Sequence, residues 1–101
     1  MPNAVIISSL AEKELHESFD WYEEQRPGLG ERFLNQIESS IASVANHPKL
    51  YPIKVGSYRQ YVVSTFPFVI VYEYIPEERL IYILHIFHTS QRPEKELSRK
   101  L

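Results

Sequence analysis

The sequence predicts an α+β fold: a small, twisted, mostly antiparallel sheet with an N-terminal helical hairpin packed on one face. Three observations predict it. The stretch from Arg59 to His88 is dense in Val, Ile, Tyr and Phe and is cut twice by proline-bearing turns, at Phe66-Pro67 and at Ile75-Pro76-Glu77-Glu78. Branched and flat side chains suit a pleated half-buried surface, and the short breaks force antiparallel neighbours, so the stretch reads as three strands. Upstream, apolar residues recur twice at helical spacing. Finally, 101 residues make one domain, 1–101, large enough to bury roughly two thirds of the surface its unfolded chain exposes.

In chain order, Ala4 to Ile7 is a short apolar run with the character of a strand. Ser9 and Glu12 then form a capping box, in which hydroxyl and carboxylate each satisfy a backbone donor at a helix start. Ala11, Leu15, Phe19 and Tyr22 follow as a buried stripe, with Glu12, Lys13, Glu17, Glu23 and Glu24 on other faces. Arg26-Pro27-Gly28 ends that helix, because the residue before proline avoids the α region and glycine accepts the turn. Phe33, Ile37, Ile41 and Val44 mark a second amphipathic helix reaching Asn46-His47-Pro48. From Pro48 to Ser57 the chain reads as a loop or a brief edge strand. After the sheet, Thr89 to Pro93 is a turn, and Pro93 to Leu97 has the form of a short terminal helix with proline at its first position. Internal repeats and low-complexity segments are absent.

Charge and composition narrow the function classes. With 13 acidic and 11 basic residues the formal charge is -2, so wholesale attraction to nucleic acid is not expected and any phosphate contact is local. The absence of cysteine excludes a disulfide framework and thiolate zinc sites and fits a reducing compartment; cytoplasm is the expectation. Met1 to Ile7 lacks a basic region and a long enough apolar run for a signal peptide, and no stretch approaches the length of a membrane span, so no membrane partner is expected.

The layout of strand, helical hairpin, three-strand meander and polar tail resembles the RelE/ParE superfamily of bacterial toxins from type II toxin-antitoxin systems. The residues that carry the likeness are Trp21-Tyr22-Glu23, Pro27-Gly28-Leu29-Gly30 with Arg32-Phe33-Leu34, His47-Pro48, Tyr51-Pro52, Arg59, Phe66 to Tyr72, and His88 with Arg92-Pro93. Their order and spacing, over nearly the whole chain, are most similar to the ParE-like, plasmid-stabilisation branch. The resemblance implies a small toxin held in a hetero-oligomer by a cognate antitoxin. It also implies one of two activities: inhibition of DNA gyrase, or ribosome-linked cleavage of messenger RNA. A relative that keeps only the antitoxin-binding fold is a further alternative.

Metal-free RNA cleavage needs a base for the 2'-hydroxyl, a cation for the phosphorane-like transition state and an acid for the leaving oxygen. By resemblance, Arg59 stands where a cation faces the scissile phosphate, and its planar fork suits bidentate contact. His88 stands where some nuclease members carry a catalytic imidazole. Lys54 and Arg92 add positive charge, and Glu73 is a candidate base. Against this, an arginine opening a strand also pairs with surface groups, and a histidine closing one is often only a polar end. Three or four cations bind RNA weakly at physiological salt, which favours the gyrase-type reading. A metal site is not expected: His85 and His88, three apart on a strand, point to opposite faces. No cofactor is implied.

Seven tyrosines raise base stacking on an aromatic platform, although tyrosine more commonly fills half-buried sheet faces with its hydroxyl at the rim. Strands apolar on both sides leave a second sheet face uncovered by the helices, and an exposed apolar patch marks a partner site. Tyr61, Tyr72, Tyr74 and Tyr82 are the residues expected to meet an antitoxin segment there, by strand addition or by a helix lying in the groove.

Overall fold

The computed structural model describes residues 3–90. Strand β1 (Ala4–Ile7) leads into helix α1 (Ser9–Gln25), then helix α2 (Leu29–Asn46), and then β2 (Ile53–Val55), β3 (Tyr58–Val62), β4 (Phe68–Ile75) and β5 (Leu80–His88). A single 3-10 turn, Pro76–Glu78, joins the last two strands. The expected terminal helix from Pro93 to Leu97 lies outside the described residues.

The sheet order is β1-β5-β4-β3-β2. The meander β3-β4-β5 and the short edge strand β2 pair antiparallel, as the proline turns predict. Among the described residues the one parallel pairing is β1 with β5, Ala4 opposite Leu80 and Ile7 opposite Ile83. No sequence signal fixes that docking, because both helices and three strands separate β1 from β5 along the chain. The side chain of Asn3 donates to the Ala45 carbonyl at 2.8 Å, tying the entry of β1 to the end of α2.

Helix α1 starts one residue earlier than its expected capping box. Ser8, not Ser9, is the N-cap: its Oγ accepts from the Ala11 N–H at 3.0 Å and donates to the Leu84 carbonyl at 2.9 Å. The shift is favoured because a cap at Ser8 satisfies a helix-end donor and a strand carbonyl together, which Ser9, already helical, cannot do. The carbonyl it meets belongs to a β-bulge. Val71 pairs with His85 but Tyr72 pairs with Ile83, so Leu84 has no opposite residue.

The turn between the helices rests on glycine and one carboxylate. Gly28 has φ +89°, a left-handed conformation that side chains resist. Glu23 accepts from the N–H of Gly28 and, at 2.9 Å, from that of Gly30. A Cβ on Gly30 would sit 2.7 Å from the Phe19 carbonyl oxygen, so the close helix crossing requires glycine there.

Phe33, Ile37 and Val44 of α2 are fully buried against Phe68, Ile70 and Tyr72 of β4 and Ile81, Ile83 and Ile86 of β5. The stripe expected for α2 is thus the core face, with Ile41 at its margin. The second sheet face departs from expectation. Val69, Val71 and Phe87 are buried there in a separate small cluster, with Tyr58 and Leu84 packed against it. That face is therefore not an open apolar plain. Large apolar residues are exposed instead at the sheet's rims, including Ile6 on β1, Ile53 and Val55 on β2, and Val62 on β3. No helix among the described residues is long and apolar enough to cross a membrane.

Candidate functional site

Arg59 lies on β3 between Ile53 of β2 and Tyr72 of β4. Its side chain reaches the loop that follows α2, where Nη1 donates to the Tyr51 carbonyl at 2.7 Å and to the Lys49 carbonyl at 3.3 Å. Beside it, the buried Tyr72 hydroxyl donates to the Pro48 carbonyl at 2.8 Å. Tyr51 closes the arrangement with its ring edge-on to Tyr61, centroids 4.7 Å apart. The Pro48–Tyr51 segment is thus clamped to the sheet by a guanidinium and a phenol. A carbonyl in a loop has no ladder partner, and these two donors supply what secondary structure does not.

Burial pushes the Tyr72 hydroxyl up to about 12; the Arg59 charge pulls the other way, and Tyr51 adds a smaller upward push. The folded state holds the phenolic proton more tightly than the unfolded chain, whose tyrosine titrates near 10. The contribution is complete below pH 10 and is lost as pH climbs through about 12. In Tyr72→Phe the unfolding free energy is therefore expected to fall less steeply between pH 10 and 12, at a cost of about 1 kcal/mol at neutral pH for the missing hydrogen bond. Denaturant titrations at several alkaline pH values check it, and identical slopes for both proteins would refute it.

His88 ends β5 opposite Phe68, with the two rings edge-on at 5.3 Å. Its Nδ1 accepts from the Ser90 N–H at 3.0 Å, which places the proton of a neutral ring on Nε2. The ring lines a cavity of about 400 Å³ together with Glu17, Ser18, Trp21, Tyr22 and Phe68. Trp21 stands edge-on to Tyr22 at 5.2 Å and is 56% exposed.

The fold does not bring the expected nuclease residues together. Arg59 and His88 lie on strands flanking β4 and are offset by four positions along it, from Tyr72 to Phe68. At about 3.3 Å per residue and 4.8 Å per strand their backbones stand about 16 Å apart. Arg59 does not line the His88 cavity. Lys54 is exposed on the β2 edge, and Arg92 lies outside the described residues. Glu73 accepts from the Ser57 hydroxyl at 2.8 Å, and as the neighbour of Tyr72 on the strand it faces the opposite side of the sheet.

The four tyrosines expected at a partner surface do not share one face of the sheet. Tyr72 has no accessible surface, because its ring fills the core and its hydroxyl serves the loop; it is corrected from partner contact to internal anchor. Tyr61 and Tyr74 pack partly buried against the same core, on the helix side. Tyr82 pairs with Glu73 and Ile6 on the other face.

Two features were missed by sequence reasoning. Glu17 joins Trp21 at the His88 cavity, and the signal was present, since residues four apart share a helix face. The second is Glu14 of α1, whose Oε1 accepts from the Ile86 N–H at 2.9 Å while Oε2 lies 3.3 Å from Nδ1 of the buried His85. The β5 bulge that makes this possible has no mark in the sequence. Among the described residues no group of three or more His, Asp and Glu side chains gathers in a way that would hold a metal ion.

Comparison with known proteins places this geometry. The backbone is similar to the chromosomal ParDE toxin-antitoxin system from P. aeruginosa, with TM-score 0.74 and 17% identity over 85% of this chain and 95% of the other. It is also similar to the intact E. coli RelBE complex, with TM-score 0.67 and 14% identity over 89% of this chain and 99% of that one. The isolated E. coli RelE toxin gives TM-score 0.66 and 13% identity over 98% and 99% of the two chains. At such identities these likenesses speak for the fold. No curated protein matches the sequence significantly. The family model described as the ParE toxin of the type II toxin-antitoxin system, parDE, matches residues 5–93. That match spans both helices and every strand but the first residue of β1, and so the chain belongs to the ParE toxin family, as the toxin component of a type II toxin-antitoxin system.

Proposed function

We propose that this toxin acts as a binding inhibitor of a cellular protein, DNA gyrase being the target implied by the ParE-like resemblance, and that a cognate antitoxin neutralises it in a cytoplasmic hetero-oligomer. The observation that carries the reading is the clamp at Arg59. A guanidinium committed to the Lys49 and Tyr51 carbonyls, about 16 Å from the candidate imidazole of His88, does not form the compact cation-and-base set that phosphodiester cleavage requires. The formal charge of -2 agrees, because affinity for RNA scales with the phosphates neutralised. An antitoxin partner is supported by the complexes among its structural relatives, ParDE and RelBE.

The second reading is a metal-independent endoribonuclease, with Arg59 and His88 as its core and Lys54 and Arg92 as added charge. It is favoured by one feature, the open cavity that His88 lines. Purified toxin separates the two. Gyrase supercoiling is expected to stop while a translating messenger stays intact. Ribosome-dependent cleavage, reduced at least about a hundredfold by His88→Ala as loss of a general acid demands, would overturn the proposal. Neither activity, with antitoxin binding retained, would mark a relative that keeps the fold alone.

A further inference from the structure

The cavity beside His88 has the chemistry of a cation receptor. Its walls are the indole of Trp21, the rings of Tyr22 and Phe68, and the imidazole of His88. One carboxylate, Glu17, stands at the rim. Glu17 lies one helical turn before Trp21, so the two project on the same side of α1. It is exposed, and among the described residues it has no hydrogen bond or ion pair, in contrast to Glu14 and Glu23, whose oxygens are held by backbone donors. Trp21, the single tryptophan of the chain, leaves 56% of its surface open, an unusual exposure for the largest apolar side chain.

Three ligand types separate on these facts. An anion meets Glu17 and the negative faces of the rings. A neutral apolar group fills the space but must desolvate a carboxylate that it cannot pair. A flat cation satisfies both surfaces, stacking on the aromatic faces and pairing with the carboxylate, and a guanidinium does this better than a compact ammonium. The surroundings favour the same sign: α1 carries six carboxylates against one lysine. A volume of about 400 Å³ accepts a side chain with its flanking backbone, not a folded element.

We infer that this cavity seats an arginine side chain presented by a polypeptide partner, with its guanidinium stacked on Trp21 and paired with Glu17. The antitoxin of the proposed complex is the polypeptide meant, and the identity of the bearer rests on that reading; the preference of the cavity does not.

Trp21 reports on its own site. Purified full-length toxin is titrated with acetyl-Gly-Arg-Gly-amide while tryptophan emission is followed. Parallel titrations use the same peptide with citrulline, which keeps the shape and removes the charge, and guanosine monophosphate. A saturable change with the arginine peptide is expected, about tenfold weaker for citrulline and weakened to the same degree by Glu17→Gln. Glu17 is exposed, so this variant leaves the core untouched, and an unchanged melting curve verifies that. Equal binding of arginine and citrulline peptides overturns the inference, as does an unresponsive Trp21. Tighter binding of the nucleotide would make the cavity a nucleobase seat and overturns it too. Should the antitoxin bind with full affinity to Glu17→Gln while wild-type toxin prefers arginine over citrulline, the assignment to this partner fails and the toxin-antitoxin reading stands.

Discussion

Phe33→Ala is expected to destabilise the protein by about 3 to 5 kcal/mol, the usual cost of emptying a buried aromatic site. Phe33 has no accessible surface, and its ring centroid lies 5.0 Å from that of Tyr22, 5.4 Å from Phe66 and 4.8 Å from Phe68. These rings come from α1, from the turn before β4 and from β4 itself, so no single element can move to fill the space. Domains of this size are stable by about 5 to 15 kcal/mol, and the variant would sit near the threshold of folding. Urea titration measures it, with a lower midpoint and an unchanged slope expected. Phe33→Leu, which keeps most of the volume, should cost much less. A loss under about 1 kcal/mol for the alanine variant would mean that the ring cluster collapses freely onto the cavity.

The second large effect is expected at Glu14. Its carboxylate receives the Ile86 N–H and stands beside Nδ1 of His85, which is 1% exposed. Facing the Glu14 carboxylate, the imidazole donates from Nδ1, and among the described residues its Nε2 has no hydrogen-bond partner. Alanine at 14 removes the acceptor from two donors in a largely buried place, at about 1 to 3 kcal/mol for each group left unpaired. We expect Glu14→Ala to lose about 2 to 4 kcal/mol and the Ile86 amide to lose its protection against hydrogen exchange. Glu14→Gln keeps one carbonyl oxygen for Ile86 and should retain most of that protection. Exchange at Ile86 unchanged in the alanine variant would show that another acceptor takes over.

These two sites differ in how far they could be foreseen. Phe33 was legible, since its place in a stripe with Ile37 and Val44 follows from helical periodicity, and that stripe is the core face. The meander was legible because proline and the β-branched runs mark its turns and strands. Glu14 was not, because its role depends on one residue too many in β5. The extra residue, Leu84, shifts the pairing between Val71 and Tyr72, and the hydrophobic pattern of Ile81 to Phe87 tolerates either register. The same limit explains Tyr72. Alternation puts it on one of two apolar faces, and only the loop carbonyl of Pro48, brought near by α2, decides that its hydroxyl is used internally. The open second face failed for a related reason: apolar residues on both sides of a strand announce burial on both sides as readily as a free surface, and here Val69, Val71 and Phe87 are buried. Arg59 and His88 were legible as polar ends of strands, but not their separation, which follows from the register of three strands together.

The parallel seam between β1 and β5 governs when this protein can acquire its shape. Ser8 hydrogen-bonds Leu84 across 76 positions of sequence, and the neighbouring strand residues are joined over a similar distance. While a ribosome is still making the molecule, β1 and both helices emerge well before the strand they dock on, and contacts so distant in sequence form late and slowly. The sheet therefore closes only once β5 has left the ribosome, and until then β1 has no strand to pair with.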